Sequence, residues 1–346
     1  MTFLNERINE NLMENKLFSG TSFNSRFLFE PDLILDNIKQ KIVGQDHVIS
    51  EVEKILMVVK ADIGDKNRPL SVNLLIGPTG VGKTEIVNLI AEGIYGDRNS
   101  LCRLDMNTLS QSHYAAAISG SPPGYVGSKE NTTLLDSVKI EGTFSKPGIV
   151  LFDEIEKADD SVILSLLNIL DYGELVLSTG NKRINFKNCI IFMTSNLGFQ
   201  KNIANLSLIK RIISVAFNNK KHLNSRANKV PDVVKVFFPP EFINRIDRVL
   251  SFQKISRLQI EAIADLEINK LIGRVSKYNI NISLQQSVKK LLIKNYDPSY
   301  GAREVNRYVR TMLEPVISES ILKNPTSKYF EIKVYNDSFI SIPVEL

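Results

Sequence analysis

The chain has 346 residues, enough for about two domains of ordinary size, and 43% of them are hydrophobic, so a packed core is feasible. The 43 basic and 38 acidic side chains leave a net charge of +5, a small and dispersed excess that is only a weak argument for a nucleic-acid partner and favours a solvated surface of mixed charge. No apolar run reaches the about 18–20 residues that a membrane span needs, and the N-terminus has no signal-peptide core, so we expect a cytoplasmic protein without a membrane partner.

The first two-thirds of the chain has the pattern of an α/β domain. Residues 1–35 are polar with weak periodicity and are expected to form an N-terminal arm. From residue 36 to residue 252, short apolar runs alternate with longer segments of helical spacing, which predicts a parallel sheet lying between helices. One such helix, near residues 162–170, is expected to be capped by Asp160 or Ser161. The expected strands are residues 72–76, 101–105, 149–152, 190–194 and 249–252.

The remainder of the chain, residues 253–346, reads as a small and mostly helical C-terminal domain. Helices are expected over residues 257–275, 283–296 and 302–322. Residues 329–335 then alternate between apolar and polar, and a turn at 336–338 leads into residues 339–344, which predicts a terminal β-hairpin.

Cysteine and histidine usage argues against a structural metal site. Cys102 and Cys189 lie inside apolar, strand-like runs and are expected to be buried free thiols. His47, His113 and His222 are far apart in the sequence, and no Cys/His cluster accompanies them.

The most informative motif is a phosphate-binding loop that follows the first expected strand. Its pattern is Gly77-x-x-x-x-Gly82-Lys83-Thr84, preceded by an apolar strand and followed by a helical pattern. In such loops glycines let backbone N–H groups surround phosphate oxygens, the lysine adds a cation, and the threonine hydroxyl can ligate Mg²⁺. The sequence therefore predicts a site for the phosphates of a nucleotide and for Mg²⁺. The loop residues expected to bind the nucleotide are Gly77, Pro78, Thr79, Gly80, Val81, Gly82, Lys83, Thr84 and Glu85.

Two later strands also end in polar side chains. Asp153 and Glu154 end an apolar run about 70 residues after the loop, where Asp153 would ligate Mg²⁺ and Glu154 would activate water. The alternative for this pair is an ordinary strand cap. Asn196 ends the next run, where its amide could orient water and sense the γ-phosphate, or could simply favour a turn.

Three further residues carry weaker signals. Tyr125 lies between glycines and after two prolines in residues 120–127, which could expose it to another chain or could form an ordinary surface turn. Arg245 and Arg303 have guanidinium groups that suit phosphate, although isolated arginines are usually surface charges.

Taken in order, these motifs resemble the AAA+ ATPases, and more narrowly the second ATPase module of the Clp unfoldase and disaggregase family. The likeness rests on residues 77–85, 122–127, 153–158, 193–198 and 296–303, and it extends from about residue 36 to the end. The resemblance implies a ring, expected to be a homohexamer, with ATP between subunits.

The resemblance also implies roles for individual residues. Lys83, Thr84 and Asp153 would hold phosphate and Mg²⁺, with Thr84 and Asp153 as the metal ligands, and Glu154 would be the catalytic base. Asn196 would be sensor 1, Arg303 would be sensor 2, and Arg245 would be a finger that reaches the ATP of a neighbouring subunit. Val43 would contact adenine, and Tyr125 and Val126 would grip substrate in the pore of the ring.

The sequence departs from typical relatives in two ways. Only about 35 residues precede the module, which leaves open an adaptor bound through this arm. The segment where protease-coupled members carry a docking tripeptide has only a degenerate match at residues 215–217, so no peptidase partner is expected.

We therefore expect a Clp-like ring ATPase that unfolds, threads or remodels protein substrates. A nucleic-acid-associated AAA+ loader or helicase-like motor is the alternative, although no basic stripe accompanies the motifs. A scaffold that binds ATP only to assemble is a third hypothesis, which the filled catalytic positions disfavour.

Overall fold

A computed structural model of the chain describes residues 25–110, 134–177, 183–199, 231–294, 296–297 and 300–344. These residues fall into two compact units. The first contains residues up to Gln40, Asp46–Gly77 and Lys83–Phe252, and the second contains Lys41–Gln45, Pro78–Gly82 and the residues from Gln253 onward. The predicted domain boundaries at residues 35 and 252 stay predictions.

The first unit is built on a five-stranded parallel sheet. Its strands are β1 (Ser71–Ile76), β2 (Cys102–Asp105), β3 (Gly148–Asp153), β6 (Cys189–Ser195) and β7 (Arg248–Ser251), in the spatial order β2-β3-β6-β1-β7. Every residue of β1, β3 and β6 is buried, as expected for parallel strands covered on both faces. The predicted α/β fold is therefore confirmed.

Helices and a small hairpin complete the first unit. The helices are α1 (Pro31–Lys41), α2 (Asp46–Ala61), α3 (Lys83–Tyr95), α4 (Ser137–Glu141), α5 (Asp160–Tyr172), α6 (Asp232–Phe237) and α7 (Pro240–Ile243). The hairpin pairs β4 (Glu174–Val176) with β5 (Arg183–Asn185) and was not predicted. The predicted cap of α5 is wrong by one residue, because the Asp159 carboxylate accepts the Ser161 N–H and leaves Asp160 in the helix.

The segment before α1 packs into the first unit through aromatic and ionic contacts. Phe27 and Phe29 are buried, and the Arg26 guanidinium pairs with both carboxylate oxygens of Asp62, at 2.9 and 3.2 Å. Burial alone would raise the pKa of Asp62, but hydrogen bonds and charge from Arg26 and Lys66 outweigh it and hold this pKa below its ordinary value. This ion pair therefore fixes residues 25–30 to the end of α2.

The second unit contains helices and a three-stranded sheet. The helices are α8 (Arg257–Ser276), α9 (Gln286–Lys294), α10 (Ala302–Tyr308) and α11 (Glu314–Lys323), with a π-helical turn at Val309–Leu313 joining the last two. The predicted hairpin is confirmed as β9 (Tyr329–Tyr335) and β10 (Ser338–Pro343), whose turn residues Asn336 and Asp337 both have positive φ.

One helix of the second unit begins later than predicted. The prediction of a helix over 283–296 is wrong at its start, because β8 (Asn281–Leu284) pairs in parallel with β9. Helix α9 then begins at Gln286. The hairpin is thus two strands of a sheet in the order β10-β9-β8.

The described residues contain neither a membrane-spanning helix nor a cluster of metal-binding side chains, and their two cysteines are free. No helix there is long and apolar enough to cross a bilayer. Within the same part of the chain, no group of His, Cys, Asp and Glu side chains could hold a metal by itself. Cys102 and Cys189 are free and buried, as predicted, and burial raises the pKa of both thiols.

Candidate active site

The polar residues predicted from the sequence meet at one edge of the parallel sheet. Strands β3, β6 and β1 are neighbours, with Leu151 opposite Phe192 and Leu74 opposite Met193. Since parallel strands end at the same edge, the residues that follow them come together there. Lys83, the Asp153–Glu154 pair and Asn196 therefore share the carboxyl edge of the sheet.

The phosphate loop needs glycine for two different reasons. A side chain at Gly77 would place its Cβ 2.6 Å from the Cβ of Phe252, so close packing requires glycine there. Gly80 and Gly82 have φ values of +74° and +104°, which only glycine adopts readily. In the second unit, the carbonyl of Gly80 accepts the N–H of Ala302 at 2.9 Å.

Lys83 begins helix α3 and is almost completely buried. Its side-chain ammonium donates to the carbonyl of Gly77 at 2.6 Å and to the amide oxygen of Asn196 at 2.8 Å. An ammonium with a relative exposure of 8% needs such acceptors, because a buried unpaired charge is strongly unfavourable. The lysine thus links the loop to the end of β6.

Asp153 is the centre of a second cluster at the end of β3. Its Oδ1 accepts hydrogen bonds from the Thr84 hydroxyl at 3.3 Å and the Thr194 hydroxyl at 2.5 Å. Its Oδ2 accepts from the Arg103 guanidinium at 2.5 Å. The carboxylate is therefore held on both oxygens, beside the hydroxyl predicted to share a metal with it.

Glu154 adopts a left-handed backbone conformation with φ 58° and ψ 53°. Its Oε1 accepts the side-chain amide of Asn196 at 3.2 Å, and its Oε2 accepts that of Asn107 at 2.8 Å. The backbone N–H of Asn196 is in turn bound by a carboxylate oxygen of Glu156 at 3.0 Å. Two amide groups thus orient the Glu154 carboxylate.

Comparisons with known proteins identify the family to which the chain belongs. The family described as "AAA domain (Cdc48 subfamily)" matches residues 68–249, more than half of the chain, and "C-terminal, D2-small domain, of ClpB protein" matches residues 255–334. The chain belongs to the Clp-type AAA+ ATPases. Nucleotide binding follows from this membership, and no observation favours the nucleic-acid alternative.

Individual Clp-type relatives fall into two length classes. An "ATP-dependent protease ATP-binding subunit-like protein AmiB" of Pseudomonas aeruginosa is 40% identical over 90% of this chain and 86% of its own length. A protein of Rhodococcus erythropolis named "ATP-dependent protease ATP-binding subunit-like protein" is 39% identical over 82% of this chain and 81% of its own length. The chaperone ClpB of Aquifex aeolicus is 34% identical over 90% of this chain, which spans only 30% of that ClpB.

Three further residues that the Clp likeness suggests lie outside the hydrogen-bonded clusters described above. Arg245 is half exposed and pairs with Asp171 at the end of α5. Arg303 is exposed on the first turn of α10, and Val43 packs against the apolar cluster of the second unit that includes Ile260. These three roles stay predictions.

The other predicted positions divide between the described and undescribed parts of the chain. Glu85 pairs with Arg98 at 2.9 Å, and its predicted nucleotide contact also stays a prediction. Tyr125 and Val126 lie outside the described residues, as do residues 215–217 of the degenerate tripeptide.

Sequence reasoning missed several side chains that hold the predicted residues in place. Their type gives little signal, since polar and charged side chains are common throughout the chain. What identifies them is contact between segments far apart in the sequence, such as the paired strands β2, β3 and β6, which no local pattern specifies. These residues are Arg103, Asn107, Glu156, Asp171 and Thr194.

Proposed function

We propose that this Clp-type ATPase hydrolyses ATP at the carboxyl edge of its parallel sheet and uses the energy to unfold, thread or remodel protein substrates. One observation carries the proposal. Lys83, Asn196 and Glu154 form a continuous hydrogen-bonded chain, with Asp153 preceding Glu154 and bonded to Thr84. A cation, a candidate base and two oxygen ligands are therefore gathered at one sheet edge.

The residues present fit a magnesium nucleotide. A hydroxyl and a carboxylate, Thr84 and Asp153, lie 3.3 Å apart and are the hard oxygen ligands that Mg²⁺ prefers. The two positive-φ glycines, Gly80 and Gly82, support a loop whose N–H groups can surround phosphate. When bound, Mg²⁺ would supply a positive charge beside the phosphate oxygens and so offset their negative charge.

The side chains then divide the chemistry between them. Glu154 would accept a proton from the attacking water while the water oxygen bonds to the γ-phosphorus. The bond between the γ-phosphorus and the oxygen that leaves with ADP breaks in the same step. Asn196, whose amide is already directed at Glu154, would orient that water. The Lys83 ammonium has three hydrogens and would donate to phosphate as well as to Gly77 and Asn196, stabilising the charge that develops there.

The proposal extends to a ring of identical subunits, expected to be a hexamer. What supports it is the placement of Arg245, a half-exposed guanidinium that would reach the ATP of a neighbouring subunit. Arg303, in the second unit, would act on the ATP of its own chain.

Mixing two inactive variants tests whether sites are shared between subunits. Arg245→Ala lacks the finger, and Glu154→Gln lacks the base, so each alone should hydrolyse ATP slowly. In a mixed ring, some sites would combine an intact Glu154 with an intact Arg245, and phosphate release should exceed that of either variant alone. If the mixture shows only the average of the two variants, the shared site is refuted.

Substrate threading is tested at Tyr125. Tyr125→Ala should keep ATPase activity and lose unfolding of a fluorescent protein that carries an unstructured tag. The matched control is Tyr278→Ala, since that tyrosine is 79% exposed after α8 and has no proposed role. Normal unfolding by Tyr125→Ala would refute the threading proposal.

Partners and location complete the proposal. The P. aeruginosa and R. erythropolis relatives are named as protease subunit-like proteins, yet we propose that no peptidase docks here, because residues 215–217 match the docking tripeptide poorly. Residues 1–35 remain a proposed adaptor site, and the proposed location is the cytoplasm.

A further inference from the structure

The hydroxyl of Thr194 contacts both acidic residues at the end of the neighbouring strand. It donates to Oδ1 of Asp153 at 2.5 Å and accepts the backbone N–H of Glu154 at 2.9 Å. A hydroxyl has one hydrogen, and an N–H can only donate, so the direction of both bonds is fixed. One buried group on β6 therefore binds two consecutive residues of β3 and the turn after it.

The contact with Glu154 involves a residue whose backbone is in the left-handed conformation, which other contacts must stabilise. With φ at 58°, Glu154 is one of the few described residues other than glycine with a left-handed backbone. Such conformations are disfavoured for residues with a side chain and persist where surrounding contacts hold them. The Thr194 oxygen is one such contact, because it accepts the N–H of the turned residue itself.

This turn sets the direction of the Glu154 side chain. Strand β3 ends at Asp153, and a short 3-10 turn begins at Ile155, so Glu154 alone makes the change of direction. The turn leaves the Glu154 carboxylate between the amides of Asn107 and Asn196. Loss of the Thr194 oxygen would therefore loosen both the turn and the direction of the carboxylate.

We propose that Thr194 is a positioning residue for ATP hydrolysis, acting through its hydroxyl on Asp153 and Glu154 together. The inference rests on the proposed function, in which Asp153 ligates Mg²⁺ and Glu154 is the base. The hydroxyl fixes one oxygen of the metal ligand and the backbone of the base. Thr194 is 1% exposed, so its methyl group is buried as well.

Two substitutions separate the hydroxyl from the methyl group. Thr194→Val keeps the volume and the branched Cβ but removes the hydroxyl, whereas Thr194→Ser keeps the hydroxyl and removes the methyl. We expect Thr194→Val to lower kcat about 10- to 100-fold, the usual effect of losing a group that orients a metal ligand. Thr194→Ser should stay within about threefold of the wild type on the same reasoning.

A binding measurement accompanies the rates. The Mg²⁺ concentration needed for half-maximal binding of a fluorescent ATP analogue should rise for Thr194→Val and not for Thr194→Ser. If Thr194 acted through packing alone, Thr194→Val would leave kcat and the Mg²⁺ requirement unchanged and Thr194→Ser would impair them. That result would overturn the inference. Thr311→Val is the control, because the Thr311 hydroxyl donates to the carbonyl of Arg307 on an exposed helical turn and has no other hydrogen bond among the described residues.

The design distinguishes failure of this inference from failure of the proposed function. If Glu154→Gln hydrolyses ATP normally, the proposed function is wrong. If Glu154→Gln blocks hydrolysis and Thr194→Val matches the wild type in rate and Mg²⁺ requirement, only the inference is wrong. Should Thr194→Val fail to fold, Thr194→Ser and Thr194→Ala differ only by the hydroxyl. Equal rates for that pair would overturn the inference.

Discussion

Replacing Asn196 by alanine removes a group that contacts both the candidate cation and the candidate base. Its amide oxygen accepts from Lys83 at 2.8 Å, and its amide nitrogen donates to Glu154 at 3.2 Å. Hydrogen bonds to charged groups contribute about 1.5–3 kcal/mol each. The lower value applies here, since Lys83 keeps its bond to Gly77 and Glu154 keeps its bond to Asn107. Two such bonds sum to about 3 kcal/mol, which corresponds to a roughly 100-fold fall in kcat.

The assay is steady-state phosphate release at saturating ATP, together with the affinity for a fluorescent ATP analogue. Asn196→Ala should lower kcat and leave the affinity within a few-fold, because the Lys83 charge remains in place. Asn99→Ala is the matched control, since the exposed side-chain amide of Asn99 donates to Asp97 in a surface loop, its one side-chain hydrogen bond within the described part of the chain. A kcat for Asn196→Ala within about threefold of the wild type would refute the reasoning, because it would mean that these bonds contribute under about 1 kcal/mol.

Two further predictions concern stability and the phosphate loop. Arg26→Met should lower the free energy of unfolding by about 1–2 kcal/mol at pH 7, measured by urea denaturation, because it removes the ion pair with Asp62. The pKa of Asp62 is lowered in the folded state, so this stabilisation is complete above about pH 4, the ordinary pKa of an aspartate, and is lost as the pH falls through the folded-state pKa. If the wild type and Arg26→Met differ in unfolding free energy by the same amount at low pH as at pH 7, the account is contradicted. Gly80→Ala should weaken binding of an ATP analogue, because a Cβ there would lie 2.3 Å from the carbonyl oxygen of Tyr300 in a left-handed conformation. Gly64→Ala, where a Cβ meets nothing within 4 Å, should bind normally, and equal affinities for the two variants would count against the loop argument.

Much of the fold could be predicted from local patterns. The five strands of the parallel sheet are continuous apolar runs, and each observed strand lies within a residue or two of its predicted bounds. The terminal hairpin could be predicted because the alternation of β9 and the turn at Asn336 and Asp337 are local signals.

The errors arise where distant residues decide the structure. Ser283 and Leu284 are assigned to a helix by their spacing to later apolar residues, but β8 pairs with β9, about 50 residues further along the chain. No local pattern reports a pairing of that separation. The cap of α5 is wrong for a smaller reason, since Asp159 and Asp160 are both suitable and only geometry distinguishes them.

In the candidate site, too, local patterns predict some features, and contacts between distant residues determine the others. Lys83, Asp153 and Asn196 could be predicted, because each follows or ends an apolar run at a recognisable spacing. The left-handed backbone of Glu154 and the hydroxyl of Thr194 beneath it could not, because both depend on the register between β3 and β6. Motifs therefore predict the candidate residues of the site, and strand pairing determines which other side chains contact them.

The most direct test of the account is a single-turnover measurement on Glu154→Gln loaded with radiolabelled ATP and Mg²⁺. The substitution keeps the shape of Glu154 and removes its ability to accept a proton. We expect the variant to retain ATP with an affinity near that of the wild type and to release labelled phosphate at least about 100-fold more slowly, within the range that general bases contribute. Release of phosphate at the wild-type rate would show that Glu154 is not the base and would contradict the account.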